Sequence, residues 1–158
     1  MKHSHWCITF FCLFSIPAYS NKVALQAPVS VEIYKNIVSS DVSIELSDDK
    51  FTVNYKNELE SFSPIDTVLT VKSKTESNIN YSLSVTLLQG RCDGNDINTV
   101  VKIDGTPIEL NTPSSVYRDV NNKGRRHDLR LEFPKIKQSA VKAFECNGTV
   151  GIAATLSI

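Results

Sequence analysis

Histidine is the scarcest chemically useful residue in this 158-residue chain. There are three, and His3 and His5 sit in the first five residues, which leaves His127. A histidine-based catalytic triad or a multi-histidine metal site therefore has no material to be built from. Glycine is also sparse, and no phosphate-cradling loop or dinucleotide fingerprint can be read among the six present. Carboxylates are scattered. Asp48-Asp49 and Asp93/Asp96 read as turn residues, and Asp93-Gly94-Asn95-Asp96 lacks the ligand spacing of a calcium loop. No catalytic residues, metal site or cofactor are expected, and an enzyme ranks last among the readings.

Charge of one sign is lacking too. The 17 basic and 17 acidic residues balance, and without Lys2 the ratio becomes 16 to 17. That balance gives no support to nucleic acid or an anionic membrane as a partner. Helical periodicity is nearly absent, since no window repeats apolar residues at i, i+3, i+4 and i+7 over three turns. Internal repeats, linkers and low-complexity stretches are absent as well.

One apolar run stands out. Trp6 to Ile16 follows the basic start Met1-Lys2-His3-Ser4-His5 and precedes Pro17-Ala18-Tyr19-Ser20. The run is shorter than the ~20 residues a membrane helix needs, and the small residues fit a signal peptidase. Residues 1–20 are expected to be a signal peptide cleaved after Ser20, and the remainder to be exported and soluble. Cleavage removes Cys7 and Cys12 and leaves Cys92 and Cys146. In an oxidising compartment that pair is expected to form one structural disulfide. A loop of that size corresponds to ~4 kcal/mol in the chain-entropy account. A redox pair would need close spacing such as Cys-x-x-Cys, which does not occur.

The rest alternates with period two. Val29, Val31, Ile33 and Ile37 share one face of an extended run. Further strands are expected at 42–46, 51–55, 65–72 and 79–87, the last running on towards Cys92. Residues 56–64 read as polar and irregular, and 90–96 as a loop. Asp104-Gly105 between Val100-Val101-Lys102-Ile103 and Pro107-Ile108-Glu109-Leu110 predicts a tight hairpin, because both turn residues tolerate positive φ. Residues 111–122 read as a loop with a short strand near Val116-Tyr117, 129–133 as a strand ended by Pro134, and 141–146 as extended. In the final run, Val150, Ile152, Ala154, Leu156 and Ile158 face one way. About eight short strands, one disulfide and no long helix predict an all-β, immunoglobulin-like sandwich. Lys123, Arg125, Arg126 and Arg130 form the one charge cluster. It is either a solvated loop or a contact for an anionic glycan or another subunit.

Both the first and the last run are strands that need partners. An alternating segment after a signal peptide, a Val/Ile/Thr-rich sandwich and an alternating apolar close resemble the layout of chaperone–usher pilins. The order Phe51-Thr52-Val53-Asn54-Tyr55, a polar loop with Phe62, Thr67-Val68-Leu69-Thr70-Val71-Lys72 and then 79–87 is similar to the colonisation-factor (alpha-type) fimbrial subunits. The common-pilus major subunit has a similar run, and Gly148 to Ile158 resembles the same families' last strand. Two features depart from the pattern. Alpha-type major pilins generally lack cysteines. Glu145-Cys146-Asn147-Gly148 keeps a glycine but not the tyrosine often found before the last strand.

The resemblance implies a signal peptide (1–20), a donor strand (21–38) and an incomplete sandwich (39–158) completed by a donated strand. It implies that Val29, Val31, Ile33 and Ile37 enter a groove lined partly by Val150, Ile152, Ala154 and Leu156. It also implies other copies or related pilins, a periplasmic chaperone, an outer-membrane usher and a host-surface receptor as partners, with the fimbrium at the cell surface as the destination. A minor or tip adhesin, and a self-contained secreted immunoglobulin-like binding protein, stand as alternatives.

Overall fold

The structure, a computed structural model, describes residues 29–37, 41–137 and 145–157. The signal-peptide reading of 1–20, most of the extended reading at 141–146, and Ile158 lie outside the described residues.

The chain is all-β, an immunoglobulin-like sandwich. The strands are β1 (Val29–Ile37), β2 (Val42–Leu46), β3 (Lys50–Val53), β4 (Tyr55–Lys56), β5 (Ser61–Phe62), β6 (Ile65–Ser73), β7 (Ile79–Cys92), β8 (Asn95–Asp96), β9 (Val100–Ile103), β10 (Thr106–Ile108), β11 (Tyr117–Val120), β12 (Arg125–Glu132) and β13 (Cys146–Leu156). One sheet runs β11-β7-β13-β1-β3, with β8 beside β7; the other runs β10-β9-β12-β6-β2. A small third pair, β4-β5, stands apart. Period-two alternation decides which side chains meet in the middle. Tyr81, Leu83, Val85, Val150, Ile152 and Ala154 from the first sheet are buried, as are Leu69, Val71, Ile103, Leu129 and Leu131 from the second.

The long strand β7 changes phase partway. Ile79, Tyr81, Leu83 and Val85 are buried at odd positions, yet Cys92 is buried at an even one. The cause is a bulge. Ile152 pairs with Val85, while Gly151 pairs with Leu87, so Thr86 has no opposite number in β13. The doublet Leu87-Leu88 is the trace of this in the sequence. Gly151 faces the bulge, where an added Cβ would lie 2.9 Å from the Leu87 Cβ. Beyond it, Cys92 and Cys146 are direct cross-strand partners. They form the expected disulfide, with 4.1 Å between their Cα atoms.

Several local expectations need correction. Residues 56–64 are not irregular throughout, because Phe62 is buried and pulls β5 onto β4. Its ring meets Tyr55 at 5.4 Å and Phe133 at 5.8 Å, both edge-on. Residues 90–96 are not a loop. They form the β7–β8 hairpin, turning at Asp93 and Gly94 with φ of 49° and 80°. That is the same left-handed Asp-Gly device as Asp104 and Gly105, at 51° and 78°, which makes the expected β9–β10 hairpin. The first was hidden because its flanks are polar. The strand expected at 129–133 begins at Arg125, since the alternation His127, Leu129, Leu131 is already directed inward.

Thr67 lies in the buried phase of β6, and its Oγ1 has no hydrogen-bond partner among the described residues. An unpaired buried hydroxyl costs ~1–3 kcal/mol, so Thr67→Val should raise the urea midpoint. Gly151→Val should do the reverse, by about 1–3 kcal/mol, because the extra carbons drive into Leu87. Equilibrium urea unfolding of the two variants beside the parent measures both.

Candidate functional site

The site is the seam where β1 enters the first sheet. Its floor is β13, fixed on its other side by β7. Val150, Ile152 and Ala154 are all at most 2% exposed, and Leu156 at the end is half-buried. β1 lies parallel to β13 along its whole length, from Val29 opposite Cys146 to Ile37 opposite Ala154. Val31 and Ile33 stand opposite Gly148 and Val150 and are buried at 2% and 3% exposure. The side chains of Val29 and Ile37 lie outside what the structure describes.

On its other edge β1 is held more lightly. Only Val29 to Glu32 pair with β3, followed by one further bond from the Ile33 N–H to the Asp49 carbonyl at 2.8 Å. Glu32 and Lys50 meet at 3.5 Å, both substantially exposed, so this ion pair adds little. Lys35 has the same phase as Val31 and Ile33 but is exposed. The buried face of β1 therefore ends at Ile33 among the described side chains.

In this single chain, then, two of the four side chains expected to enter a groove fill one in their own sandwich. There they lie beside Val150, Ile152 and Ala154 of the same chain. Burying Val31 and Ile33 contributes roughly 2 kcal/mol each. The parallel ladder adds main-chain bonds that are slightly weaker per residue than antiparallel ones. These are modest terms beside those holding β13 to β7.

The cation cluster does not come together as one patch. The Arg125 guanidinium lies 4.9 Å from the centre of the Tyr117 ring. Arg130 is on the outer face of β12, donating to both Asp66 oxygens at 2.9 and 3.2 Å and to Glu132 at 3.1 Å. Lys123 and Arg126 are exposed, and Arg126 is on a strand and not in a loop.

Sequence reasoning missed what His127 does. It is 1% exposed and bridges the two sheets. Its Nδ1 lies 2.7 Å from Asp104 Oδ2, and its Nε2 lies 2.6 Å from the Tyr81 hydroxyl. An ionised carboxylate only accepts, so Nδ1–H donates to Asp104, while Nε2 shares a hydrogen bond with the Tyr81 hydroxyl. The Asp128 N–H donates to Asp104 Oδ1 at 3.0 Å, and the Tyr117 ring packs 4.3 Å from the imidazole. Partial burial would raise the Asp104 carboxyl, but the hydrogen bonds from His127 and the Asp128 N–H outweigh it and hold it below its ordinary value. Burial pushes the Tyr81 phenol far above its ordinary value, so it remains a donor. Burial, and then the Asp104 charge, also raise Tyr117. The linear Tyr–His–Asp order looks triad-like, yet both Tyr81 and His127 are sealed from solvent, and the arrangement works as a polar bolt between sheets. A histidine in strand phase with Leu129 and Leu131 was the available signal.

No family model and no curated protein matches the chain. Among solved structures, it is similar to one titled "Structure of the N-terminal domain of PorA". The identity is 16%, the TM-score 0.41, and the match covers 71% of this chain and 96% of that one. A likeness of that degree carries no argument about function.

Tyr81→Phe should cost about 1–3 kcal/mol, since it leaves His127 Nε2 buried without its hydrogen-bond partner. The lowered Asp104 value gives a pH signature. Its contribution is present above the unfolded aspartate value, ~3.9, and is lost as pH falls through the still lower folded value. Asp104→Asn, which tolerates the positive φ at that turn, should therefore flatten the acid limb of stability. Urea unfolding of parent and variant from about pH 5 downwards checks this. Parallel acid limbs would contradict it.

Proposed function

We propose that this chain is a structural subunit of a bacterial surface fimbria, exported through the periplasm and assembled by chaperone–usher donor-strand exchange, and that the fibre supports adhesion. The observation that carries the reading is the way β1 is held. It lies at the amino-terminal end of the described chain. It pairs with β13 along its full length, but with β3 over only four residues. The equivalent strand of another copy, entering the same seam, would restore both the β13 and the β3 ladder.

Removing β1 would strip cover from Val150, Ile152 and Ala154 and leave two unpaired edges, those of β13 and β3. Such a gap is about two strand spacings wide, ~10 Å, which admits one strand. A periplasmic chaperone would protect it before assembly, and an outer-membrane usher would be the place of exchange. Cell-surface partners then include other copies, related pilins and a host receptor.

A second reading has an observation of its own. β1 closes the sandwich of its own chain, which suits a self-contained secreted immunoglobulin-like binding protein.

Co-expression with a periplasmic chaperone and an outer-membrane usher of the alpha-type fimbrial class separates the two. Deleting residues 21–38 should leave a chaperone-bound domain that forms no fibres under the electron microscope, and Val31→Asp with Ile33→Asp should do the same. Fibres from the truncated chain would sink the fimbrial reading.

A further inference from the structure

We propose that a polar cleft at the disulfide end of the first sheet binds a neutral saccharide. Beyond the bulge, Gln89 and Arg91 of β7 lie on the outer face of the sheet. Their register partners on β13 are Thr149 and Asn147. The segment following β8 folds back beside them, with the Ile97 N–H donating to the Gly90 carbonyl at 2.8 Å. Gly90 permits this approach, because any Cβ there would come within 2.8 Å of Ile97 Cγ1. The fold-back carries Asp96 and Asn98 to the side of the sheet as a wall. The result is an open cleft of about 450 Å³ lined by Gln89, Arg91, Asp96, Asn98, Asn147 and Thr149 together with Ile97. That volume falls within the usual range for small-ligand sites, roughly 300–1,000 Å³.

The chemistry of the lining narrows the ligand. Arg91 Nε donates to Asp96 Oδ1 at 2.9 Å, so the two charges in the cleft cancel. An anion finds no unpaired cation there, and no aromatic ring offers a stacking platform for a base. The side chains of Gln89, Asn98, Asn147 and Thr149 make no hydrogen bond among the described residues, which leaves their capacity for a ligand. Amides and hydroxyls offer donors and acceptors together. A neutral sugar presents the same mixture at every hydroxyl. The cleft is made by β7, the β8 hairpin and β13, not by β1, so saccharide binding and strand exchange can fail separately.

The full chain should be applied to an array of neutral oligosaccharides ending in galactose, glucose, mannose, fucose or N-acetylhexosamines, with sialylated versions alongside. At least one neutral glycan should bind, and titration calorimetry should show Asn98→Ala and Asn147→Ala each weakening it about tenfold. Gly90→Val, which clashes with Ile97 and displaces the fold-back that carries Asp96 and Asn98, should abolish binding. Lys72→Ala in the opposite sheet should leave it unchanged. Absence of binding to every neutral glycan, a requirement for the sialylated versions, or unchanged affinity in folded Asn98→Ala and Asn147→Ala would each overturn the proposal.

Discussion

The antiparallel ladder between β7 and β13 is the interaction on which the rest of the sandwich depends. Every residue of β13 has a partner in β7. The disulfide closes one end of that ladder, and the bulge at Thr86 sets its phase in the middle. Because the bulge shifts β7 by one residue, Cys92 is turned inward to meet Cys146, and Val150, Ile152 and Ala154 all lie in the buried phase. Without the bulge, one half of β7 would present its polar side chains to the core. The same end of the ladder supports the cleft, since Gln89 and Arg91 owe their outward direction to the phase change.

A second constraint ties the sheets to one another. Hydrophobic contact between sheets is non-directional and tolerates sliding. The Tyr81–His127–Asp104 chain does not, because each hydrogen bond has one geometry that satisfies it. It joins β7 of the first sheet through β12 to the β9–β10 turn of the second. Asp104 has a double duty, as the left-handed turn residue and as the acceptor for His127. Against this bolted frame, β1 is paired on both sides but unevenly, with β13 along nine residues and with β3 along four, and among its described side chains the buried face ends at Ile33.

Much of the fold was legible because burial imposes a period of two that survives in the residues themselves. Ile79 to Val85, Leu129-Arg130-Leu131 and Val150 to Leu156 each announce a face, and Asp104-Gly105 announces its turn. The disulfide was expected from Cys92 and Cys146, the two cysteines outside the apolar run Trp6 to Ile16. What failed to show has physical reasons. The bulge disguised itself as a broken alternation at Leu87-Leu88. The β7–β8 hairpin has exposed, polar strands, so no apolar pattern flagged its Asp93-Gly94 turn. β4 and β5 are two residues each and depend on an aromatic cluster with Phe133, distant in sequence. His127 was counted as a missing catalyst, when its spacing with Leu129 and Leu131 placed it in the core. The seam itself was half legible. Its side chains could be read, but the parallel sense of β1 against β13 depends on topology and leaves no mark in composition.

Native-state hydrogen exchange on the isolated chain tests the separability of β1 most directly. Amides of β1 from Val31 to Ile37 should exchange through a local opening of low free energy, while β7 and β13 from Leu83 to Leu88 and from Val150 to Thr155 stay protected up to global unfolding. Protection of the β1 amides equal to that of β7 and β13 would contradict the account, because the strand would then leave its seam only when the whole domain unfolds.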